Sequence, residues 1–156
     1  MNRRFFTIAV TAALFFCAGA LVAHHSTETN FDLSTTYLLR GVISSVSWAN
    51  PHLYAFMDVT TCKTDPWAVE LGSPNTMNRA GLRRDMLQKG TPISVYASPA
   101  KFASASGLPG IEEAWKSKHL VLGGCMTLAD GTKIEYSDGP KCSRPKQDVV
   151  IGTPLK

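Results

Sequence analysis

Charge is scarce in this 156-residue chain: 18% of its residues are Asp, Glu, Lys or Arg, against 44% that are hydrophobic. That balance excludes a disordered acidic or basic tail, because such tails lack the apolar area that offsets the entropy of ordering. Cysteine is scarce too, four residues in all, and no two stand in the close C-x-x-C spacing that zinc sites favour. There is no Gly-x-Ser-x-Gly elbow and no Gly-rich loop leading into a helix, which removes the usual signatures of acyl transfer and phosphate binding. No acid/base pair stands at a diagnostic spacing, so the sequence reads as non-enzymatic. The single long apolar run lies near the N terminus, which excludes a polytopic membrane protein.

That run defines the first segment. Arg3 and Arg4 precede an almost wholly apolar stretch from Phe5 to Phe16, and small residues follow through Ala23. Residues 1–23 therefore read as a secretory signal peptide. Cleavage fits after Ala20 or after Ala23, and the second cut makes His24 the first residue. The competing reading keeps the stretch as a membrane anchor; the crowding of small residues at its end argues for cleavage, with no membrane span afterwards. The expected location is the periplasm or the outside of the cell. Arg3 and Arg4 contribute two of the formal net charges of +4, so the mature chain is nearly balanced and nucleic-acid binding loses its main support.

Loss of Cys17 with the signal leaves Cys62, Cys125 and Cys142 in an oxidising compartment. Three pairings exist. Cys125 with Cys142 is favoured, since a hairpin turn between them brings the chain back on itself.

Apolar alternation then gives the elements. Leu38–Trp48 reads as a strand with Val42, Ser44, Val46 and Trp48 on one side, and Asn50-Pro51 interrupts it. His52–Val59 and Trp67–Leu71 follow as strands. Ser73-Pro74 opens a helix expected to run from Asn75 to about Lys89, weakened by Gly81. Pro92–Ala97, His119–Leu128 and Thr132–Tyr136 complete the set, the last two joined by an Ala129-Asp130-Gly131 turn. Ser98–Gly110 reads as a long loop, and residues 138–156 as an irregular tail. This order predicts a mainly β domain over residues 24–137. The expected form is a small OB-like, partly open barrel of five to six antiparallel strands, with one helix after the third. An open meander with a packed helix is the alternative.

Histidine carries the chemistry. If His24 is the mature N-terminal residue, its α-amine and imidazole together chelate one metal ion, and nitrogen donors of this kind favour copper by the affinity order. His25 and His52 are the candidate co-ligands. An N-terminal histidine of this sort is similar to the copper site of lytic polysaccharide monooxygenases, where His52 or His119 would supply the second imidazole; no larger substrate surface accompanies it. The second functional class is a ligand- or partner-binding module without metal, in which Trp48, Trp67 and Tyr54 line a barrel face for a small ligand or an envelope partner.

His24-His25-Ser26, Phe31-Asp32, Trp48-Ala49-Asn50-Pro51-His52, Trp67-Ala68-Val69-Glu70-Leu71 and Arg79-Ala80-Gly81 with Leu87-Gln88-Lys89-Gly90 together resemble a family of small exported bacterial proteins, domain of unknown function 6152. The resemblance spans most of residues 24–100. It implies a single exported domain and no established activity.

Intact-mass measurement of the exported protein should find an N terminus at Leu21 or His24. A mass that retains residues 1–20 would overturn the cleaved-signal reading.

Overall fold

The computed structural model describes residues 27–60, 64–101, 110–136, 138–143 and 149–152. The expected signal peptide, His24, His25, Cys62 and residues 102–109 of the Ser98–Gly110 loop lie outside the described residues.

Among the described residues seven strands form: β1 (Tyr37–Ser47), β2 (Leu53–Thr60), β3 (Thr64–Leu71), β4 (Pro92–Pro99), β5 (Leu120–Leu128), β6 (Lys133–Glu135) and β7 (Val149–Ile151). Three short helices accompany them: α1 (Thr27–Asn30), α2 (Pro74–Arg79) and α3 (Ile111–Lys116). The strand order β2-β3-β5-β4-β1 closes on itself because β1 also pairs β2. The expected partly open, all-antiparallel sheet is thus corrected to a closed five-strand barrel of mixed sense. The contact between β3 and β5 is parallel, since the chain crosses from one to the other through α2, β4 and α3 instead of a hairpin. β6 extends β5 as a hairpin arm, and β7 adds to β1 in parallel.

Period-two alternation places Val69 and Leu71 of β3, with Ile93, Val95 and Ala97 of β4, in the buried core. In β1 the alternation is interrupted. The register slips between Ile43 and Ser45, so Ile43 faces Met57 inside the barrel while Val42 stays exposed. After the bulge Val46 pairs with Ala55, one of the core residues. Val42 and Val46 therefore do not share a face, contrary to simple alternation, because a bulge advances the strand by one residue.

The helix after β3 begins where Ser73-Pro74 indicated: Ser73 Oγ accepts from the Thr76 N–H at 3.2 Å. It ends at Arg79, about ten residues early. Gly81 sits at φ 94°, the Leu82 N–H donates to Met77 O at 2.9 Å, and the Gly81 N–H donates to Asn78 O at 3.1 Å. This pair of bonds closes the helix with a left-handed glycine. Only a 3-10 turn at Arg84–Met86 remains of the second half. Met77, Leu82 and Leu87 are nonetheless buried.

The segment expected as an irregular tail is ordered at two places. Cys142 is bonded to Cys125, and Gly139-Pro140 cross so close to β5 that a Cβ at Gly124 would lie 2.1 Å from Pro140 N. Further on, Val149–Ile151 pair with Tyr37–Leu39. Alternation could not reveal β7, since three residues carry no period. No helix among the described residues is long and apolar enough to cross a membrane.

The bond between Cys125 and Cys142 closes a loop of sequence separation 17. Cys142→Ser should lower the unfolding free energy by roughly 3 kcal/mol in urea titrations. An unchanged midpoint would show that the clasp does not constrain the unfolded chain.

Candidate functional site

Two histidines fall among the described residues, and the barrel holds them at opposite ends. β1 is antiparallel to both β2 and β4, so β2 and β4 run in the same sense. His52 precedes the first residue of β2. His119 precedes the first residue of β5, which is antiparallel to β4 and so begins where β4 ends.

At the first end, Tyr54 and Glu70 are cross-strand partners on β2 and β3. Their neighbours Leu53, Ala55, Val69 and Leu71 point into the core, so this pair points outward, away from the barrel interior. Glu70 is nevertheless 3% exposed. A buried carboxylate needs partners, and Glu70 has two. Oε1 lies 3.2 Å from His52 Nδ1, and Oε2 accepts from the Tyr54 hydroxyl at 2.9 Å. His52, with 42% of its side chain exposed, thereby has one ring nitrogen, Nδ1, held by the carboxylate. Nearby, a Cβ at Gly72 would lie 2.6 Å from the Tyr136 ring. Burial, then the hydrogen bond to Asp138, pushes the Tyr136 phenol well above its usual range, so it remains a neutral donor. The peptide bond Asn50-Pro51 is cis.

At the second end, Trp67 stacks on His119 with ring centroids 4.4 Å apart and planes 22° from parallel. Tyr37 meets the same indole edge-on at 6.2 Å. Trp67 is 5% exposed, and its Nε1 has no hydrogen-bond partner among the described residues. The N-terminal helix α1 docks here. The Lys101 N–H donates to Asn30 O at 2.7 Å, Lys101 Nζ donates to Glu28 O at 3.3 Å, and Phe31 bridges to Ala100. Ala100 in turn donates to Leu120 O at 3.0 Å, one residue from His119.

Among the described candidates, His52 and Tyr54 meet on Glu70, whereas Trp67 lies at the other end, and His24 and His25 lie outside the described residues. Trp67 follows the inward alternation of β3 while Tyr54 follows the outward one, so the two do not line one face; Trp48 is half-buried against the core. His52 stands with Glu70, a partner that sequence reading missed. Glu70 lies in a short strand with no local sign of its pairing to Tyr54, sixteen residues away. Among the described residues no group of three or more His, Cys, Asp or Glu side chains converges on a metal-sized space.

A family model described as "Family of unknown function (DUF6152)" matches residues 13–110. His24, His25 and His52 fall within the match, whereas His119, Cys125 and Cys142 lie beyond it. No curated protein and no solved structure matches the chain.

Tyr54→Phe removes one of the two contacts to a buried carboxylate and should cost roughly 1–2 kcal/mol in chemical denaturation, with the β-sheet circular dichroism retained. No loss of stability would mean that water satisfies Glu70 Oε2.

Proposed function

The chain belongs to this family of unknown function, and we propose that it is an exported, non-enzymatic barrel that binds a transition metal ion, copper, through His24 and His25. The barrel's strand order, with a helix between its third and fourth strands, supports the OB-like description of the fold. Export to the periplasm or beyond is supported by the apolar run after Arg3-Arg4 and by a disulfide, which persists in oxidising compartments.

One observation carries the placement of the metal site. The segment that bears His24 and His25 joins the structure at α1, which is fastened to the end of β4. His24 is three chain steps from Thr27, a reach of at most about 11 Å. An eight-residue strand such as β2 or β4 runs roughly 23 Å. This weighs against His52 as a co-ligand, because it stands at the far end of β2 with Nδ1 committed to Glu70.

With cleavage after Ala23, the His24 α-amine and imidazole nitrogen close a chelate ring, and both are deprotonated at little cost near neutral pH. His25 adds a further nitrogen. Imidazole and amine donors, with no thiolate, suit Cu(II) above Zn(II) and Ni(II).

Calorimetric titration of the mature protein with Cu(II) should show binding that His24→Ala weakens by at least about tenfold, one decade being 1.4 kcal/mol. Equal affinity in that variant would overturn the N-terminal chelate. A wild-type protein that ignores Cu(II) but binds a glycan or envelope protein would establish the metal-free binding module instead.

A further inference from the structure

We propose that the His52 end of the barrel, capped by α2, the 3-10 turn and the hairpin of β5 and β6, is a docking surface for a bilayer that carries anionic phospholipid headgroups. The proposal is independent of the copper reading and uses none of its residues.

The observation is a segregation of charge. β3 ends and β4 begins at the His52 end, so residues 72–91 lie there, and so do the turn at residues 129–132 after β5 and the start of β6. These segments carry Arg79, Arg83, Arg84, Lys89 and Lys133, all exposed, against the exposed Asp85 and Asp130. The opposite end, where the chain enters β1 and crosses from β4 to β5, has the reverse balance. There Glu28, Asp32, Glu112 and Glu113 stand against Lys101, Lys116 and Lys118. A domain whose total charge is small is therefore polarised along the barrel, positive at one end.

The pairing of these charges differs in the same direction. At the acidic end Lys116 Nζ lies 2.7 Å from Glu112 Oε1, and Lys101 Nζ donates to Glu28 O. At the cationic end Arg83 meets Asp85 at 3.2 Å. Arg79, Arg84, Lys89 and Lys133 make no ion pair among the described residues. Gathering like charges without partners works against the fold through self-repulsion, and an external anionic surface reverses the sign of that effect.

The fold fixes the cations in place without burying them. Met77, Leu82 and Leu87 are buried and pin the surrounding segment to the core. A Cβ on the left-handed Gly81 would lie 3.7 Å from Ile134 Cδ1, which sets the end of α2 beside β6. Ile134 is buried between the exposed Lys133 and Glu135, so Lys133 flanks the arginine segment, while Glu135 is engaged by Lys141 at 3.8 Å.

This arrangement selects an extended partner. A site for one small phosphate draws charged donors together around the anion, often with a bidentate arginine. Here every cation is exposed, and they are spread over α2, the 3-10 turn and β6. Such a surface meets many headgroups at once, and each Lys or Arg close to an anionic bilayer strengthens binding about fivefold. The contact is electrostatic, so salt weakens it.

The test sediments the purified mature protein, without added metal, with vesicles of phosphatidylcholine alone or of phosphatidylcholine mixed with phosphatidylglycerol. Wild type should pellet with the mixed vesicles at low salt, stay in solution with the neutral ones, and be released at about 1 M salt, where the screening length falls to about 3 Å. The triple variant Arg79→Gln, Arg84→Gln, Lys133→Gln should lose on the order of a hundredfold in affinity for the mixed vesicles. The control Lys101→Gln, Lys116→Gln, Lys118→Gln removes the same charge from the opposite end and should bind as wild type; melting profiles check that both variants fold. An equal loss in the two triples would show attraction by net charge alone and overturn the proposal. So would wild-type protein that stays in solution with the mixed vesicles at low salt, or that pellets equally with neutral ones. Binding of inorganic phosphate in calorimetry, without sedimentation on mixed vesicles, would make the end a small-anion site and overturn the bilayer assignment.

Discussion

β1 pairs along one edge with β4 and along the other with β2, and this double pairing is what closes the barrel. Eleven residues make it long enough to serve both neighbours in turn: its first half meets β4, its second half meets β2. The slip between Ile43 and Ser45 lets it turn from one to the other while keeping Ile43 and Val46 toward the core. Where β2 no longer covers its edge, β7 takes the vacant hydrogen bonds at Tyr37–Leu39. Without that closure β1 and β2 would be the edges of an open sheet and the core residues Leu39, Val69 and Val95 would have no opposite wall.

Closure also sorts the polar groups. Because β2 and β4 run the same way, one end of the barrel gathers His52 with the buried Tyr54 and Glu70, and the other gathers Tyr37, Trp67, His119 and the docked α1. At the first end a buried carboxylate is satisfied from both sides and holds an imidazole in place. At the second end an imidazole is held by an aromatic face. The same residue type is used in two ways, and the difference comes from which neighbours the strand ends supply.

Much of the fold was legible because its elements carry strong local signals. The five barrel strands appear within a few residues of their expected bounds, since β-branched alternation bounded by Pro, Gly and Asn is a short-range pattern. The start of α2 was legible in Ser73-Pro74, and its end was marked by Gly81, which was read as a weakness and acts as a terminator. The Cys125–Cys142 bond followed from the turn between them. The bulge in β1, the parallel sense of β3 and β5, and β7 left no local trace, because each depends on which strand arrives alongside. The candidate site was legible only as a set of histidines. Their surroundings were not: the pairing of His52 with Glu70 and the stacking of His119 on Trp67 left no local trace.

By itself the sequence determined the family, the export-type N terminus as an expectation, the mainly β class and the cysteine pair, all properties of composition, short motifs or local periodicity. Only the tertiary structure decided that the barrel closes, that Tyr54 and Trp67 face opposite ways, and that His119 stands at the end where α1 docks while His52 stands at the other. The reason is physical: which residues meet across a barrel is set by register and strand sense, and these are relations between distant segments that no single segment encodes.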